Sequence, residues 1–365
     1  MKFLISAGGT GGHLYPAQAL ALELLKKNPK NQVMFAAGGL RINRYFDRDL
    51  FDYRDIQVSK VSWRKPLKTL LGTYKLLKGY LQSKKLLQSY KPDVVIGFGS
   101  FTTFPVMLAA KTLKVPIILH EINTIPGLVN RLFSPFALFT GIFFPETKKL
   151  LKGRSIRVDT PLRYKNTDQL KMQAQNYFDL SRDMPTLLVF GGSQGALAIN
   201  EIFCAAAQKL HQFSLQILHF TGDSEMTKNC QEAYCQAGIK SHVKDFESRM
   251  DLAWSLATIS MTRSGASTIS EQLHSEVPAI FVPYPYATDL HQHRNANFVA
   301  KQVGGAIVID QKELTVDGLV ETLRCLLQKK ETIDSMRSSI QKFKQDKSCN
   351  FADLIIQKIG NDNER

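Results

Sequence analysis

The sequence has few cysteines and no long apolar run. Its five cysteines, at positions 204, 230, 235, 325 and 349, are odd in number and contain no Cys-x-x-Cys pair. This spacing argues against a structural zinc site and indicates a reducing compartment. No uninterrupted apolar run reaches the roughly 18 residues of a membrane-spanning helix. Because the chain begins directly on an apolar strand, we also expect no signal peptide.

Acidic residues are scarce in the first half of the chain and absent from residues 57–92. Residues 1–160 hold 25 Lys and Arg against 9 Asp and Glu, a net charge of +16, whereas the rest of the chain has a net charge of −1. Within 57–92, nine basic residues alternate with tryptophan, tyrosine and leucine. This mixture is typical of a helix on an anionic membrane surface. Nucleic acid and a plain solvated helix face are the alternatives, and the apolar content favours the membrane over both.

The usual cofactor motifs are missing as well. The first glycine-rich turn, Gly8 to His13, lacks the Gly-x-Gly-x-x-Gly spacing, and no acidic residue ends the second predicted strand, which argues against a dinucleotide. Residues 47–49 (Asp-Arg-Asp) resemble a metal-binding pair but lie in a polar run with no predicted strand. We interpret His291 and His293 as hydrogen-bonding residues. We therefore expect neither a metal ion nor a cofactor.

What the chain does contain is a repeated unit of apolar strand, small-residue turn and helix. Residues 8–13, 191–196 and 262–271 each follow an apolar strand and open a helix. Unpaired amides at such a helix start, together with the helix dipole, favour a bound phosphate. Glu271 would repel phosphate there, so we interpret it as an acceptor for the two hydroxyls of a ribose. An ordinary capped turn with a solvated Glu271 is the alternative.

Strands and helices alternate through both halves of the chain. This pattern predicts an α/β protein with two doubly wound, Rossmann-like parallel-sheet domains that face each other across a cleft. We place the N-terminal domain at residues 1–160 and the C-terminal domain at 161–345, and we expect a final helix, residues 349–360, to return to the first domain. The predicted strands lie near residues 2–7, 32–37, 93–97, 115–119, 138–144, 155–158, 186–190, 215–220, 239–243, 257–261, 279–283 and 306–309.

Polar residues follow several predicted strand ends, where open parallel sheets bind ligands. Asn123, after the fourth strand, offers a donor and an acceptor to a sugar, or alternatively caps the next short helix. Arg163 lies at the domain boundary, where it can clamp a diphosphate, although a surface arginine on a linker is the alternative. A long loop, residues 283–295, is expected to carry Gln292 and Asn295 towards the cleft.

Four of these segments together resemble the MurG family. They are Gly8 to His13, His120 to Asn123, Gly191 to Ala196 and Arg263 to Glu271, in the family's order, within a similarity that spans about residues 2–340. The family adds N-acetylglucosamine from UDP-GlcNAc to the lipid-linked muramoyl-pentapeptide of bacterial peptidoglycan synthesis. The resemblance implies the GT-B fold, a metal-independent inverting transfer to the 4-hydroxyl of the muramoyl sugar, and a peripheral position on the cytoplasmic face of the inner membrane. It also implies a role in cell-wall biogenesis, cell shape and division, with cell-wall and division proteins as partners and no nucleic acid.

The resemblance also implies which residues form the site. His13 is the candidate base that takes the proton of the attacking hydroxyl, with a structural role at the helix start as its alternative, and Glu121 is the reserve candidate. Glu247 replaces an apolar residue of the family and would read the uracil through its backbone. The implied UDP-GlcNAc contacts are Thr10, Gly11, Gly12, Asn123, Arg163, Ser193, Glu247, Ala266, Ser267, Thr268, Ile269, Ser270, Glu271 and Gln292.

The chain departs from the family's pattern at two turns. It has Gly99, Ser100 and Phe101 where the family has Gly-Gly-Tyr, and residues 159–161 read Asp-Thr-Pro where the family has Gly-Asn-Pro. The first departure lies where the acceptor's diphosphate should rest. Two alternatives therefore stand beside the transferase: a UDP-sugar epimerase of the same fold, and a membrane-bound scaffold for cell-wall or division proteins without turnover.

Overall fold

The protein is described by a computed structural model that covers residues 1–59, 66–162, 168–192, 195–346 and 348–363. The chain divides into two compact units, each with its own parallel sheet. The first unit comprises Met1–Arg163 and Lys347–Arg365, and the second comprises Tyr164–Asp346.

The first unit alternates strands and helices around a seven-stranded sheet. Its strand order is β3-β2-β1-β4-β5-β6-β7, and all of these pairings are parallel. The elements are β1 Lys2–Ser6, α1 Gly11–Lys27, β2 Gln32–Ala37, β3 Asp52–Asp55, α2 Pro66–Tyr90, β4 Val94–Gly97, α3 Phe104–Thr112, β5 Ile117–Glu121, α4 Leu128–Phe133, β6 Phe139–Ile142 and β7 Ser155–Arg157.

The second unit repeats this layout around a six-stranded parallel sheet with the order β10-β9-β8-β11-β12-β13. A π-helical turn, Val299–Val303, extends α10, and α13 belongs to the first unit. The elements are α5 Asp168–Phe178, β8 Thr186–Phe190, α6 Leu197–Leu210, β9 Gln216–Phe220, α7 Ser224–Gln236, β10 Ser241–Lys244, α8 Met250–Leu256, β11 Ile259–Thr262, α9 Ala266–His274, β12 Ala279–Phe281, α10 His291–Phe298, β13 Ala306–Val308, α11 Val316–Gln328, α12 Lys330–Gln345 and α13 Phe351–Asn363.

Helices cover both faces of each sheet, and for this reason the central strands are apolar throughout. In the first unit, α1 and α13 pack on one face and α3 packs on the other. Phe351 of α13 is buried in this core, where its ring contacts the rings of Phe98, His120 and Phe139. In the second unit, α6, α7 and α11 cover one face, and α5 and α8 cover the other.

The predicted α/β alternation with two parallel sheets is confirmed, but two local predictions are wrong. The polar run after residue 47 does contain a strand, β3, which pairs with β2 at the edge of the sheet. An edge strand tolerates charged residues such as Asp52 and Arg54. Because β3 contains them, it lacks the apolar pattern by which strands are predicted from a sequence. The second error is the loop at residues 283–295, because α10 already begins at His291 and Asn295 is fully buried.

In the described parts of the chain, we find no helix that is both long enough and apolar enough to cross a membrane.

Candidate functional site

Three neighbouring strands of the first unit, β1, β4 and β5, end at the same edge of the sheet, so the segments after them lie side by side. The glycine turn after β1 fits tightly against the turn after β4. A Cβ atom on Gly8 would clash with Thr102 Oγ1, and one on Gly9 would lie 3.1 Å from Ser100 Oγ. Gly9 also has a φ of +84°, which favours glycine. These contacts explain why the turn consists of glycines.

Helix α1 starts at Gly11, directly after this turn. Thr10 is its exposed N-cap residue and makes no side-chain capping bond, and the first turn contains no acidic residue. The positive end of the helix dipole is therefore not neutralised by an acidic side chain of that turn. Gly11 is buried and Gly12 half-buried, so this helix start can present backbone amides to an anion.

His13, the candidate base, is half-buried in the first turn of α1, close to His120. Burial, with a smaller contribution from the charge of His13, lowers the pKa of His120 to about 3. The His120 ring lies between the rings of Phe98 and Phe351, with centroids 4.9 and 5.1 Å away. His120 is thus a neutral core residue at neutral pH, while His13 lies at the surface of the same edge.

The reserve candidate, Glu121, is surrounded by donors from its own chain. The Asn123 backbone amide and Nδ2 donate to Oε1 at 3.0 and 3.3 Å. Gly127 N and Asn130 Nδ2 each donate to Oε2 at 2.9 Å. Because the carboxylate is buried and accepts four hydrogen bonds, it holds the turn from Asn123 to Asn130 in place, which favours a structural role for Glu121. It also orients the Asn123 side chain.

The two departures from the family's pattern each have a local structural effect. Ser100 has φ 74° and ψ 146°, a backbone conformation that glycine adopts far more easily, and its hydroxyl accepts a 3.4 Å hydrogen bond from Thr102 N. Asp159 accepts a hydrogen bond from the Ser348 hydroxyl, and its backbone amide donates to Cys349 O at 3.1 Å. Asp159 therefore fastens the segment before α13 to the end of β7.

In the second unit, helix α9 offers the matching feature. Gly265 is its N-cap residue, with no side-chain capping bond, and the first turn contains no acidic residue. Within the predicted run from Ala266 to Glu271, the side chains of Ala266, Ile269 and Ser270 are buried, whereas Ser267 and Thr268 are half-buried. The buried members can meet a ligand only through their backbone.

Arg263 and Ser264 tie the start of α9 to the segment that carries Gln292. Arg263 Nη1 donates to Val282 O and Pro283 O at 3.0 and 3.2 Å. The Ser264 hydroxyl donates to Gln292 O at 2.9 Å, and Gln292 Oε1 accepts from Tyr284 N at 2.9 Å. In the sequence, Arg263 opens the segment from Arg263 to Glu271, but no role is assigned to it there. The structure shows that Arg263 is buried and anchors this segment. Its position directly after a buried strand is the sequence feature that could have indicated this role.

The two acidic residues of the predicted site have different surroundings. Half-buried Glu271 accepts a 2.9 Å hydrogen bond from the indole Nε1 of Trp254, a residue that the sequence did not single out. The Glu247 side chain is fully buried and accepts from Arg249 N at 2.7 Å and Lys244 Nζ at 3.2 Å. Burial opposes its ionisation, but these two donors hold the pKa of Glu247 below its usual range.

The structure thus brings Thr10, Gly11, Gly12, His13, Glu121 and Asn123 together at one sheet edge, and Ala266 to Glu271 with Gln292 at another. Two predicted contacts, Arg163 and Ser193, lie outside the described residues. In the described ranges, we find no group of three or more His, Cys, Asp or Glu side chains arranged to hold a metal ion.

Comparison with known proteins gives a consistent result across the chain. The model of the glycosyltransferase family 28 N-terminal domain matches residues 3–141, and that of the C-terminal domain matches residues 186–351. A protein of Protochlamydia amoebophila, named UDP-N-acetylglucosamine--N-acetylmuramyl-(pentapeptide) pyrophosphoryl-undecaprenol N-acetylglucosamine transferase, is 44% identical over 94% of this chain and 92% of its own.

Two solved structures share the fold. The crystal structure of Acinetobacter baumannii MurG superposes with a TM-score of 0.77 at 27% identity and covers 99% of each chain. A UDP-GlcNAc 2-epimerase from Neisseria meningitidis, bound to UDP-GlcNAc, superposes with a TM-score of 0.68 at 16% identity over 98% of this chain and 99% of its own. The second likeness concerns the fold alone.

Proposed function

The chain belongs to the MurG family of glycosyltransferases, and from this premise we propose how its own residues carry out the family's reaction. The protein transfers N-acetylglucosamine from UDP-GlcNAc to the lipid-linked N-acetylmuramyl-pentapeptide, a step of peptidoglycan synthesis. The observation that carries the assignment of roles is the pair of helix starts, α1 and α9. Each follows a strand of a parallel sheet and has no acidic residue in its first turn.

The start of α9 is the proposed site of the donor's diphosphate. Backbone amides of its first turn donate to the phosphate oxygens, assisted by the half-buried hydroxyl-bearing residues Ser267 and Thr268. As the glycosidic bond breaks, negative charge grows on the leaving UDP, and the helix dipole stabilises it where a metal ion would otherwise do so. From the sequence motifs, we add Arg163 and Ser193 to the diphosphate site.

The rest of the donor is recognised by residues of three further segments. Glu271 accepts hydrogen bonds from the two ribose hydroxyls. The backbone of Glu247 binds the edge of the uracil, while its side chain remains in the core. Asn123 and Gln292 bind the transferred sugar. Asn123 Nδ2 donates to Glu121, and Gln292 Oε1 accepts from Tyr284 N. Because these hydrogen bonds already orient both amides, little conformational freedom remains to be lost when the sugar binds.

The first unit supplies the acceptor side of the reaction. His13, in the first turn of α1, acts as the base, beside Thr10, Gly11 and Gly12, which contact the UDP-GlcNAc. The acceptor's 4-hydroxyl attacks the anomeric carbon from the face opposite the UDP, its proton passes to His13, and the anomeric configuration inverts. His13 is a better base than Glu121 because four hydrogen-bond donors already occupy the Glu121 carboxylate.

We further propose that the protein works at the cytoplasmic face of the bacterial inner membrane as a peripheral protein. Helix α2 supports this location, because Tyr74, Leu77 and Leu81 are exposed on one face beside Lys78 and Lys85. Apolar side chains flanked by lysines fit the interface of an anionic bilayer. The part of the basic stretch at residues 60–65 lies outside the described residues.

The direct test uses UDP-GlcNAc labelled in the sugar and lipid-linked muramoyl-pentapeptide in detergent. We expect the wild-type protein to move label into the lipid, and His13→Ala to reduce kcat by about 100-fold or more while UDP affinity stays within about twofold. An unchanged kcat in His13→Ala would show that His13 is not the base. UDP binding without label transfer would favour the scaffold, and a changed UDP-sugar formed without acceptor would favour the epimerase.

A further inference from the structure

We propose that Trp254 is a positioning residue for donor recognition, which holds the Glu271 carboxylate in the orientation that accepts the ribose hydroxyls. This inference rests on the proposed function, because it assumes that Glu271 binds the ribose. It assigns to a core tryptophan a role in nucleotide affinity that its burial alone would not suggest.

The indole is held firmly on both sides. Trp254 lies in α8 and is only 1% exposed. Its ring meets the ring of Phe190 edge to face, with centroids 5.7 Å apart and planes at 81°. Phe190 is the last residue of β8 and directly precedes Gly191, the start of the second glycine turn. On its other side, Nε1 lies 2.9 Å from Glu271 Oε2.

The chemistry of the two groups gives the contact a direction. An indole N–H can only donate, and an ionised carboxylate can only accept, so Trp254 is the donor and Glu271 the acceptor in this contact. Since Trp254 is locked in the core and Glu271 is half-buried, the tryptophan orients the glutamate. Hydrogen bonds to a charged acceptor are short and strong, so this one is able to select a single rotamer of a flexible side chain.

The position of α8 in the chain adds a second reason. This helix starts just after the segment of Glu247, which we propose reads the uracil, and Trp254 then contacts Glu271 of α9. One short helix therefore connects the residue for the base with the residue for the ribose. The hydrogen bond from the indole links α8 to α9 at this point. A purely structural tryptophan would need only the packing against Phe190 and its neighbours.

The test removes the N–H donor and retains the ring. Trp254 is replaced by its isostere 3-benzothienylalanine, which has sulfur in place of the indole N–H. The second tryptophan, Trp63, is first changed to Phe so that the analogue enters one position only. Binding of UDP and of 2′,3′-dideoxy-UDP is then measured by calorimetry, together with kcat for transfer.

We expect the isostere to raise the Kd of UDP by about 3- to 10-fold and to leave the Kd of the dideoxy analogue within about twofold. It should have no effect once Glu271→Ala is present, because alanine offers no acceptor to the indole. An equal change for both nucleotides, or no change for either, would overturn the positioning role. If Glu271→Ala alone affects both nucleotides equally, the ribose role of Glu271 is wrong and the inference fails with it. That result is obtained without any change at Trp254, so it separates failure of the proposed function from failure of this inference.

Leu252→Val provides the matched control, because Leu252 is a buried residue of the same helix whose aliphatic side chain cannot donate a hydrogen bond to Glu271. It should lower the thermal midpoint and leave the ratio of the two nucleotide affinities unchanged. A changed ratio of the two affinities in Leu252→Val would mean that general loosening of α8 causes the loss of UDP affinity, and it would overturn the proposal.

Discussion

Ser100 is a residue whose backbone conformation does not suit its side chain. At φ 74° and ψ 146° a residue with a Cβ atom is strained by about 1–3 kcal/mol, whereas replacing a serine cap by glycine costs only a few tenths of a kcal/mol. We therefore expect Ser100→Gly to raise the free energy of unfolding by about 1 kcal/mol, measured by urea denaturation. Ser100→Ala, which keeps the strain and loses the hydroxyl, is the control and should be less stable than wild type. A less stable Ser100→Gly variant would refute the strain.

Glu121 gives a second prediction, which separates a structural carboxylate from a catalytic one. In Glu121→Gln an amide NH2 group would face donors that now bind an oxygen, so we expect the free energy of unfolding to fall by about 2 kcal/mol. The turn to Asn130 would loosen, and the donor KM should rise more than kcat falls. Glu121→Asp is the matched variant that keeps the charge. Unchanged stability with kcat abolished would instead identify Glu121 as the base.

The sequence indicated most of these site residues but not how they act. Its motifs located Asn123 just after a strand and Glu271 in the second turn of a helix that follows a strand, at the sheet edge where open parallel sheets bind ligands. It did not reveal that Ile269 and Ser270 have buried side chains, because a turn of helix looks the same in sequence whichever face is covered. The contact between Trp254 and Glu271 joins residues 17 positions apart in different helices, a spacing that carries no periodic signal.

At the scale of helices and strands, burial explains which boundaries were predictable. Strands β2 and β8 match their predicted ranges, because apolar residues between two helical layers form an unbroken pattern. Edge strand β3 has no such pattern. The sequence does not predict the early start of α10, because the first turn of this helix is polar. It also follows Asp289 and Leu290, whose positive φ angles cannot be recognised from the sequence.

Helix α2 carries the prediction about the membrane. Its buried face contains Gly79, Ser83 and Leu87, so the exposed lysines at positions 75, 78 and 85 remain available to lipid phosphates. Changing all three to Gln should weaken binding to vesicles of anionic lipid by about 100-fold, since each basic residue contributes about 1 kcal/mol. Co-sedimentation measures the effect, and neutral vesicles should show little difference.

Three exposed lysines of the second unit, Lys228, Lys240 and Lys312, form the control set for that experiment. Changing them to Gln alters the net charge of the protein by the same amount but should leave vesicle binding within about twofold of wild type, since a Debye length of about 8 Å limits their reach. Equal losses in both triple variants would mean that overall charge, rather than α2, attracts the protein to the membrane.

At the scale of the whole molecule, both units should lose stability at acidic pH, although their net charges differ. Each unit encloses one histidine whose pKa burial lowers to about 3: His120 in the first and His219 in the second, where its ring nitrogens contact Tyr234 and Asn200. Both are neutral in the folded protein at pH 5, whereas in an unfolded chain a histidine has a pKa of about 6.5. Between pH 6.5 and 3, the unfolded state therefore binds more protons than the folded one.

Stability must therefore rise with pH through this window and be lost as the pH falls. From pH 7 to pH 5, each buried histidine should lower the free energy of unfolding by about 2 kcal/mol, which urea denaturation at both pH values can measure. In His120→Phe the ring can still pack between Phe98 and Phe351 but can take up no proton, so the loss between the two pH values should shrink by about that amount. An unchanged loss in His120→Phe would mean that His120 takes up its proton equally in the folded and unfolded protein over this range, so that burial does not lower its pKa.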